Sequence, residues 1–395
     1  MKNKIAFFFF AISFSAAQAQ WLWVQKADYS GPKVSDASYC YIGKNAYVGT
    51  GNADGTNTKQ FWMYNTVKNT WTQKSDYLGT ARRSASAFAL GRKGFICSGN
   101  SGSPNSRLYE YDTLTNVWTQ KANFGGGTRE GTVSFAIKGL GYTGLGNDAN
   151  GFKQDFWAYD TLNNTWTQMA NFGGSARSKA TSFVVGDRAF VVTGNDGGMK
   201  NDCWAYEPAS NTWSKKANFL GAKREDATAF AFLGKGYVGT GVDSLGLYKK
   251  DFWAYDTIAN SWTQIADLTG VGRKGAIAFA TDSNGYVGTG VDAIAYFHVD
   301  LWELKNVTSI TETTSEKATI NIYPNPVKDI ATIYISDTSE SLFTLYTLQG
   351  KEVLQLIVNG GKNIFNKSGL SAGVYVYTLS QKSNKLLTGK LIISE

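Results

Sequence analysis

The chain has 395 residues, with 39 Lys and Arg against 31 Asp and Glu, one histidine and three cysteines. A single histidine excludes zinc sites built on several histidines, and any Ser-His-Asp triad would depend on His298 alone. The net charge of +8 is scattered along the chain rather than clustered, so we do not expect nucleic-acid binding.

The first 19 residues have the pattern of a signal peptide. Lys2 and Lys4 form a basic start, residues 5–17 are an apolar run, and Ala17-Gln18-Ala19 is a small-x-small cleavage site. The alternative, a membrane anchor, would need a longer apolar run to span a bilayer. We therefore expect a mature chain that begins at Gln20 and has no transmembrane segment.

Residues 20–306 contain one pattern six times. In five copies a tryptophan lies eleven residues before an arginine, which lies seventeen before a glycine. The tryptophans are Trp71, Trp118, Trp166, Trp213 and Trp262, and the arginines are Arg82, Arg129, Arg177, Arg224 and Arg273. The first copy, from Trp23, keeps both intervals but has Val34 in place of the arginine. All length variation falls between the glycine and the next aromatic residue, so function is expected to vary in that loop.

The period of 47 to 49 residues favours a propeller blade of four short antiparallel strands. In the third copy the pattern predicts strands over 131–138, 142–146, 156–160 and 165–169. Residues of each first strand are small, as expected where strands converge on an axis. A lone strand precedes the first copy, and the sixth copy lacks its tryptophan strand. We therefore predict an all-β, six-bladed propeller over residues 20–306, closed by the N-terminal strand.

These repeats resemble the kelch propeller family. The match is carried by the arginine before the first strand, a glycine after the second, Tyr-Asp after the third, as in Tyr159-Asp160, and a tryptophan in the fourth. The family's paired glycines are replaced by Gly-Thr-Gly in three copies. Galactose oxidase also carries a kelch-like propeller, but its copper needs two histidines. The resemblance therefore does not extend to that activity.

The C-terminal part of the chain differs in composition. A Thr-, Ser- and Glu-rich linker covers residues 307–318, and residues 319–395 contain short alternating strands without tryptophan, which predicts a small Ig-like β-sandwich. The motifs Tyr323-Pro324-Asn325-Pro326, Leu348 to Lys351, Leu370 to Tyr375 with Gly373, and Lys390 to Ile393 resemble the type A sorting domain of the type IX secretion system of Bacteroidetes. The resemblance implies export through the periplasm to the outer surface or the medium, with the type IX machinery and its sortase as partners.

Recurrence of the five arginines favours a structural role, and we expect them to bond loop carbonyls between adjacent blades. Their neighbours do not repeat, which is what a binding surface on a repeating frame needs. The loop of variable length emerges on the same face and carries aromatic residues, whereas the opposite turns, such as Thr66 to Asn69, are short and uniform. The predicted binding residues are Arg83, Glu130, Lys179, Glu225, Lys274, Tyr248, Tyr296 and His298.

Two sets of aspartates also follow the repeat. One lies two residues before the third-strand tryptophan (Asp155, Asp202, Asp251, Asp300), and the other lies just after the second-strand glycine (Asp148, Asp196, Asp243, Asp292). We interpret both sets as turn caps that bond loop backbone. Loop-bound calcium and a glycosidase-like carboxylate pair stay open as alternatives. We predict no other cofactor, no metal site and no catalytic residue.

The three cysteines, Cys40, Cys97 and Cys203, each replace a core-type residue, so we expect small buried hydrophobes rather than a disulfide. Three functions remain open for the whole chain. The leading hypothesis is a secreted or cell-surface module that binds a glycan or a surface polymer. The alternatives are a carbohydrate-active enzyme, such as a lyase, hydrolase or sugar epimerase, and a structural component of the surface or of motility machinery.

Overall fold

A computed structural model describes residues 20–307, 320–336, 340–348, 351–381 and 384–395. The predicted signal peptide, most of the linker and the Gln349-Gly350 turn lie outside these ranges. The chain divides into two compact units, with the boundary between residues 308 and 309. All regular structure in the described ranges is β-strand, so the all-β prediction is confirmed. In these ranges no helix is long and apolar enough to cross a membrane.

The N-terminal unit contains six four-stranded antiparallel sheets, numbered here with the repeats that form them. Sheet 1 consists of Ser38–Ile42, Asn45–Gly49, Phe61–Asn65 and Thr70–Lys74. Sheet 2 consists of Ser86–Leu90, Lys93–Cys97, Leu108–Asp112 and Val117–Gln120. Sheet 3 consists of Val133–Ile137, Leu140–Gly144, Phe156–Asp160 and Thr165–Met169. Sheet 4 consists of Thr181–Val185, Arg188–Val192, Cys203–Glu207 and Thr212–Lys216. Sheet 5 consists of Thr228–Phe232, Lys235–Gly239, Phe252–Asp256 and Ser261–Ile265. Sheet 6 consists of Ile277–Ala280, Asn284–Gly288, Leu301–Val307 and Gln20–Gln25.

The first strands of the six sheets form a closed ring around a central channel. Each contacts the first strand of the next sheet, and the first strand of sheet 6 contacts that of sheet 1. The fourth strand of sheet 6 is the N-terminal segment Gln20–Gln25, which pairs antiparallel with Leu301–Val307 and brings Trp23 opposite Leu304. The chain therefore closes the ring with its own N-terminus, which pairs the strand Leu301–Val307 on both sides and completes four strands in sheet 6.

Two strands of the third repeat differ from their predictions. The first is Val133–Ile137, shorter than the predicted 131–138. The second strand is Leu140–Gly144 rather than 142–146, because the turn that precedes it contains only Lys138 and Gly139. The third and fourth strands of this repeat lie where the sequence predicts them.

Aromatic side chains fill the space between neighbouring sheets. Phe183 and Phe190 of sheet 4 stack with ring centroids 5.0 Å apart, and Tyr255 of sheet 5 contacts Phe190 edge-on at 5.5 Å. A glycine on the second strand of sheet 5 permits this approach, because a Cβ on Gly236 would lie 2.0 Å from the Phe183 ring. Equivalent contacts recur around the ring, and they hold the first strands at fixed positions.

The C-terminal unit consists of two antiparallel sheets. One contains Ile320–Tyr323, Ile330–Ile335 and Gly361–Asn366, and the other contains Ser341–Thr347, Glu352–Val358, Gly373–Gln381 and Asn384–Ile393. Residues of both sheets, among them Ile333, Phe343 and Phe365, share one buried core. Three strands, Ile320–Tyr323, Glu352–Val358 and Gly361–Asn366, were not predicted from the sequence.

The sorting-motif residues stabilise the end of this unit. The Asn325 side chain accepts a hydrogen bond from the Ile392 N–H at 2.9 Å and donates one to the Lys390 carbonyl at 3.2 Å. The Tyr375 hydroxyl donates to the Ser371 carbonyl at 2.8 Å. These motif residues therefore fasten the last strand and the turn before Gly373–Gln381.

Candidate functional site at the channel mouth

Four of the five recurring arginine side chains form a buried ion pair with an aspartate, whereas Arg82 of repeat 2 donates to the Asn105 side-chain oxygen at 2.6 Å. Nη1 and Nη2 of Arg177 donate to the two carboxylate oxygens of Asp202 at 2.5 and 2.9 Å, and Nη1 also donates to the Thr193 carbonyl at 3.0 Å. The guanidinium lies 5.1 Å from the ring centroid of Phe172. Burial alone would raise the pKa of Asp202, but hydrogen bonds and charge from Arg177 outweigh it and hold the pKa below its usual value. The same pairing recurs in Arg129–Asp155, Arg224–Asp251 and Arg273–Asp300.

These pairs correct two predictions. The arginine side chains were expected to bond between adjacent blades, but their partners lie in their own repeat. The first aspartate set was expected to cap turns, but it neutralises the arginines and accepts a hydrogen bond from the nearby indole N–H, as Asp202 does from Trp204 at 2.8 Å. These carboxylates neutralise guanidinium groups that would be strongly destabilising if buried without a partner. In repeat 2 the buried Arg82 has neutral acceptors instead, the Ser98 carbonyl and Asn105 Oδ1, both at 2.6 Å.

The bond between adjacent repeats is made by backbone atoms instead. The N–H of each recurring glycine donates to the carbonyl of the arginine in the next repeat, as Gly194 does to Arg224 at 2.9 Å. At the seam, Gly290 donates to the carbonyl of Val34 at 2.8 Å. A carbonyl is present on any residue, so the ring tolerates valine at this position in repeat 1.

Six residues, one from each repeat, encircle one end of the channel, and we call them the rim. Each lies two residues after the recurring arginine, or after Val34 in repeat 1. All have φ between +52° and +61°, and each N–H donates to the carbonyl of its neighbour at 2.8 to 3.3 Å, so that the bonds form a closed circle. In order around the channel the rim residues are Asp36, Ser84, Gly131, Lys179, Asp226 and Gly275. The backbone of the rim is uniform, and only its side chains differ from repeat to repeat.

Below the rim lies a cavity of about 190 Å³ with two unlike walls. Sheets 2 to 4 contribute hydroxyl groups, which form a hydrogen-bonded chain that includes Ser86, Thr132 and Ser134. Sheets 5 and 6 contribute methyl groups, with Ala229 and Ala276 among them. The cavity can therefore hydrogen-bond a ligand on one side and contact an apolar surface of it on the other.

Charged groups converge on the rim around Lys179. Its ammonium lies 3.2 Å from a Glu225 oxygen and 3.1 Å from an Asp226 oxygen. Burial opposes the charge on Lys179, but the two carboxylates outweigh it and raise its pKa. Burial and the nearby Asp36 carboxylate raise the pKa of Asp226 to about 6, although Lys179 and Lys274 act in the opposite direction. Asp226 is thus a nearly buried carboxyl that can change its protonation near neutral pH.

The predicted binding residues lie on the rim or in the loops around it. The Lys274 ammonium lies 5.6 Å from the ring centroid of Tyr248. The Tyr296 ring is 5.0 Å from His298, whose Nε2 lies 3.0 Å from an Asp292 oxygen. Tyr248 thus lies beside Lys274, and Tyr296 lies beside His298, whereas the binding role of these four residues stays a prediction.

Two of the predicted residues lie apart from the Lys179 group. Arg83 and Glu130 pair through their backbones with Asn100 and Asn147 at the start of the variable loops. In residues 20–307, the structure gives no side-chain contact that joins either residue to Lys179. Sequence reasoning instead missed Asp36 and Asp226, although both break the repeat one residue after the neighbours that were considered.

The second aspartate set caps its own loops, as predicted. Asp243 accepts hydrogen bonds from the N–H groups of Leu245 and Leu247 at 3.0 and 2.9 Å and lies 2.5 Å from the Lys249 ammonium. Asp148, Asp196 and Asp292 have equivalent partners. Among the described residues, no group of three or more His, Cys, Asp and Glu side chains is arranged to hold a metal ion.

All three cysteines are free. Cys97 and Cys203 are buried, and burial raises the pKa of the Cys40 and Cys97 thiols to about 12. A thiol with so high a pKa is a poor nucleophile, which fits the interpretation of these residues as small hydrophobes.

Residues 321–394 match the family model of the secretion system C-terminal sorting domain. The tail is a type IX sorting domain. It directs the protein to the outer surface or the medium and is handled by the type IX machinery. The match covers this segment only, so it assigns a destination to the N-terminal unit and not an activity.

The N-terminal unit has a solved structural neighbour. The protein in the structure titled "Structure of YjhT" is similar with a TM-score of 0.62, at 15% sequence identity over 71% of this chain and 99% of that chain. At this identity the likeness concerns the fold alone. No curated protein matches the chain.

Proposed function

We propose that this protein is an exported binding module in which a six-bladed, kelch-type propeller holds a glycan or a surface polymer at the channel mouth. In this proposal the tail, an Ig-like sandwich, serves export by the type IX system of a Bacteroidetes cell and is removed by the sortase. The observation that carries the proposal is the rim. Its backbone repeats six times, while its side chains place Asp36, Lys179 and Asp226 around one cavity.

Several features of the mouth suit a polyhydroxylated ligand. Carboxylates accept hydrogen bonds from hydroxyl groups, and the ammonium of Lys179 donates them. Tyr296 beside the rim is 49% exposed and offers a flat face for a sugar ring, and Tyr248 is half-buried.

A screen of the purified full-length protein on a glycan array tests the proposal. Binding should weaken in Asp36→Asn and Lys179→Met and, to a smaller extent, in Tyr248→Ala, Tyr296→Ala and Lys274→Ala, without a large change in melting temperature. Binding that persists in all five variants would place the site elsewhere.

The matched control lies in the opposite turn, at the exposed residue Lys68. Asn69 of the same turn is expected to matter for stability, unlike Lys68. Its side-chain oxygen accepts hydrogen bonds from the Ala27 N–H and the Tyr64 hydroxyl, both at 2.8 Å. Lys68→Ala should therefore leave both binding and stability unchanged, whereas Asn69→Ala should lower stability.

A second candidate function, catalysis on a carbohydrate, is favoured by one observation. Asp226 has a pKa of about 6 and lies near Asp36, and a carboxyl with a raised pKa beside a second carboxylate is the pairing used for acid–base work on glycosidic bonds. Chromatography of every glycan that binds, after incubation with the protein, distinguishes the two. A released or isomerised product that disappears in Asp226→Asn would establish the enzyme.

A further inference from the structure

One position of the first strand breaks the repeat inside the channel. The position lies five residues after Val34 in repeat 1 and five residues after the arginine in the other repeats. In sheets 2 to 6 it is occupied by a small residue, namely Ala87, Ser134, Ser182, Ala229 and Ala278. Sheet 1 has Tyr39 at this position. Because six such positions face one narrow channel, a single large side chain among them can close it.

The Tyr39 side chain extends along the channel wall from sheet 1 to sheet 5. It belongs to sheet 1, but its hydroxyl lies 3.5 Å from Thr228 Oγ1 of sheet 5, so the side chain passes sheet 6. It packs against the apolar clusters on both sides of sheet 6, which include Ala278 and Phe279. The ring also lines both the mouth cavity and a second cavity of about 310 Å³ toward the other face. The residues that line both cavities are otherwise small, namely Ala87, Ser134, Ser182 and Ala229. Tyr39 therefore narrows the channel between the two cavities and forms part of the floor of the mouth cavity.

We infer that the mouth cavity is a blind pocket that takes the end of a saccharide chain, a single terminal sugar with neutral or amine-bearing substituents, rather than an internal stretch of polymer. This inference rests on the proposed function and specifies its ligand. A chain that passed through the channel would collide with Tyr39, whereas a terminal unit can enter from the rim and rest on the phenol ring.

The size of the cavity agrees with one sugar unit. At about 190 Å³ it lies below the roughly 300–1,000 Å³ typical of pockets for drug-sized ligands. Two rim positions, Gly131 and Gly275, have no side chain and leave room above the cavity. A Cβ on Gly275 would lie 2.7 Å from an Asp36 oxygen, so any side chain there would cover this carboxylate.

The charges at the rim favour an amine over an acid on the ligand. Three carboxylates, Asp36, Glu225 and Asp226, face two lysines at the rim. Lys179 is ion-paired with Glu225 and Asp226, and Lys274, beside Tyr248, also acts on Asp226. Asp36 has a hydroxyl donor, Ser35 at 3.0 Å, but no lysine or arginine within ion-pair distance in residues 20–307. A protonated amine between Asp36 and Asp226 would supply the missing positive charge, whereas a uronate would be repelled.

Titration calorimetry of the full-length protein tests this inference with three probe series, which are β-1,4-linked glucosamine oligomers, their N-acetylated counterparts, and hyaluronan oligomers that carry glucuronate. We expect the glucosamine oligomers to bind, either alone or together with their N-acetylated counterparts. The affinity per molecule should be the same for two and for eight units, because each chain has one terminal sugar of the required kind. Affinity that rises in proportion to chain length, or a preference for hyaluronan, would overturn the inference and leave the proposed function intact. Absence of binding to any glycan would overturn both.

Variants of the floor provide the second arm. Tyr39→Ala should weaken binding about 10-fold, the scale of one lost pocket contact, while Tyr39→Phe should retain it. The matched control is Tyr41→Ala, because Tyr41 lies on the same strand but lines only the second cavity. Equal affinity of Tyr39→Ala and the native protein, with both folded by their melting curves, would contradict the role of Tyr39 as the floor.

Discussion

Arg224 and Asp251 form a buried two-point ion pair, with Nη1 2.7 Å from Oδ1 and Nη2 2.8 Å from Oδ2. Repeat 1 lacks both members of this pair. Val34 stands at the arginine position, and Gln60 stands at the aspartate position, where its side-chain oxygen accepts a hydrogen bond from the Trp62 indole at 3.1 Å. The repeat therefore loses the two charges together, which avoids a single unpaired charge in the core.

This relationship predicts a double-mutant result. Arg224→Val alone should lower the free energy of unfolding by about 3–5 kcal/mol, because it leaves Asp251 without its partner. Arg224→Val combined with Asp251→Gln reproduces repeat 1 and should cost less than Arg224→Val does. Guanidinium denaturation of the three proteins measures the difference, and a double variant less stable than the single one would contradict the prediction.

The recurring glycine should tolerate no side chain. Gly241 has φ +90°, donates to the Arg273 carbonyl, and would bring a Cβ within 2.7 Å of the Glu225 carbonyl. Gly241→Ala should therefore cost about 2–5 kcal/mol from backbone strain and steric overlap together. Gly246 is the matched control, since its φ is +74° but no atom lies near a Cβ placed there. Gly246→Ala should cost only the strain, about 1–2 kcal/mol, and equal losses at both sites would refute the steric argument.

The sequence predicts which positions recur, but it cannot tell which neighbour a side chain reaches. Asn164 illustrates the difference, because spacing alone marks it as a hairpin residue. In the structure its side-chain oxygen accepts hydrogen bonds from the Tyr159 hydroxyl and from the Ala122 N–H of the preceding repeat, both at 2.8 Å. Contacts of this kind join residues more than 40 positions apart, so they depend on how the sheets pack.

The candidate site was only partly predictable for a related reason. Lys179 and Glu225 could be found because they break the repeat beside the arginines. Tyr39 breaks it too, but its position could be recognised as the floor of a cavity only once the first strands were known to face a common channel. The all-β architecture and the closing strand followed from spacing alone, because four strands per repeat leave one strand over at the N-terminus.

Because Trp23 lies on the strand that closes the ring, we expect it to contribute as much to the free energy of unfolding as a core residue does. Its side chain is 5% exposed, it packs on Phe252 with ring centroids 5.0 Å apart, and its indole donates to the Ala266 carbonyl at 3.0 Å. Trp23→Ala should lower the free energy of unfolding by about 3–5 kcal/mol. Leu22→Ala on the same strand is the control, since Leu22 is 51% exposed. A Trp23 variant that melts like the Leu22 variant would mean that the N-terminal strand does not hold the seam.

Asp226 predicts a distinct dependence of stability on pH. Its pKa is about 6 in the folded protein, against about 3.9 in an unfolded chain, so between pH 4 and 6 the folded state binds more protons. The contribution of Asp226 to stability therefore falls as pH rises through this window. Relative to the native protein, Asp226→Asn should gain about 1–3 kcal/mol of stability between pH 4 and pH 7.

The comparison isolates this one group. Both proteins contain the charged groups that face Asp226, namely Asp36, Glu225, Lys179 and Lys274. Both also contain the ion-paired aspartates, whose lowered pKa values make stability fall as the pH becomes acidic. Denaturation curves at several pH values measure the difference. A difference between the two proteins that does not change from pH 4 to pH 7 would show that Asp226 is ionised throughout.

Export should depend on the tail and not on the ring. Deletion of residues 309–395 removes the sorting domain but keeps Val307, which pairs with Gln20 in the closing strand, so a deletion from residue 307 onward would also shorten sheet 6. The truncated protein should therefore fold, melt near the temperature of the ring in the full-length protein, and accumulate in the periplasm.

Asn325→Ala is the finer test, because it removes the two hydrogen bonds that fasten the last strand while leaving the ring intact. It should reduce the amount of protein outside the cell. Fractionation of cells and medium with an antibody against the ring measures both, and equal amounts of truncated and full-length protein outside the cell would mean that another segment carries the export signal.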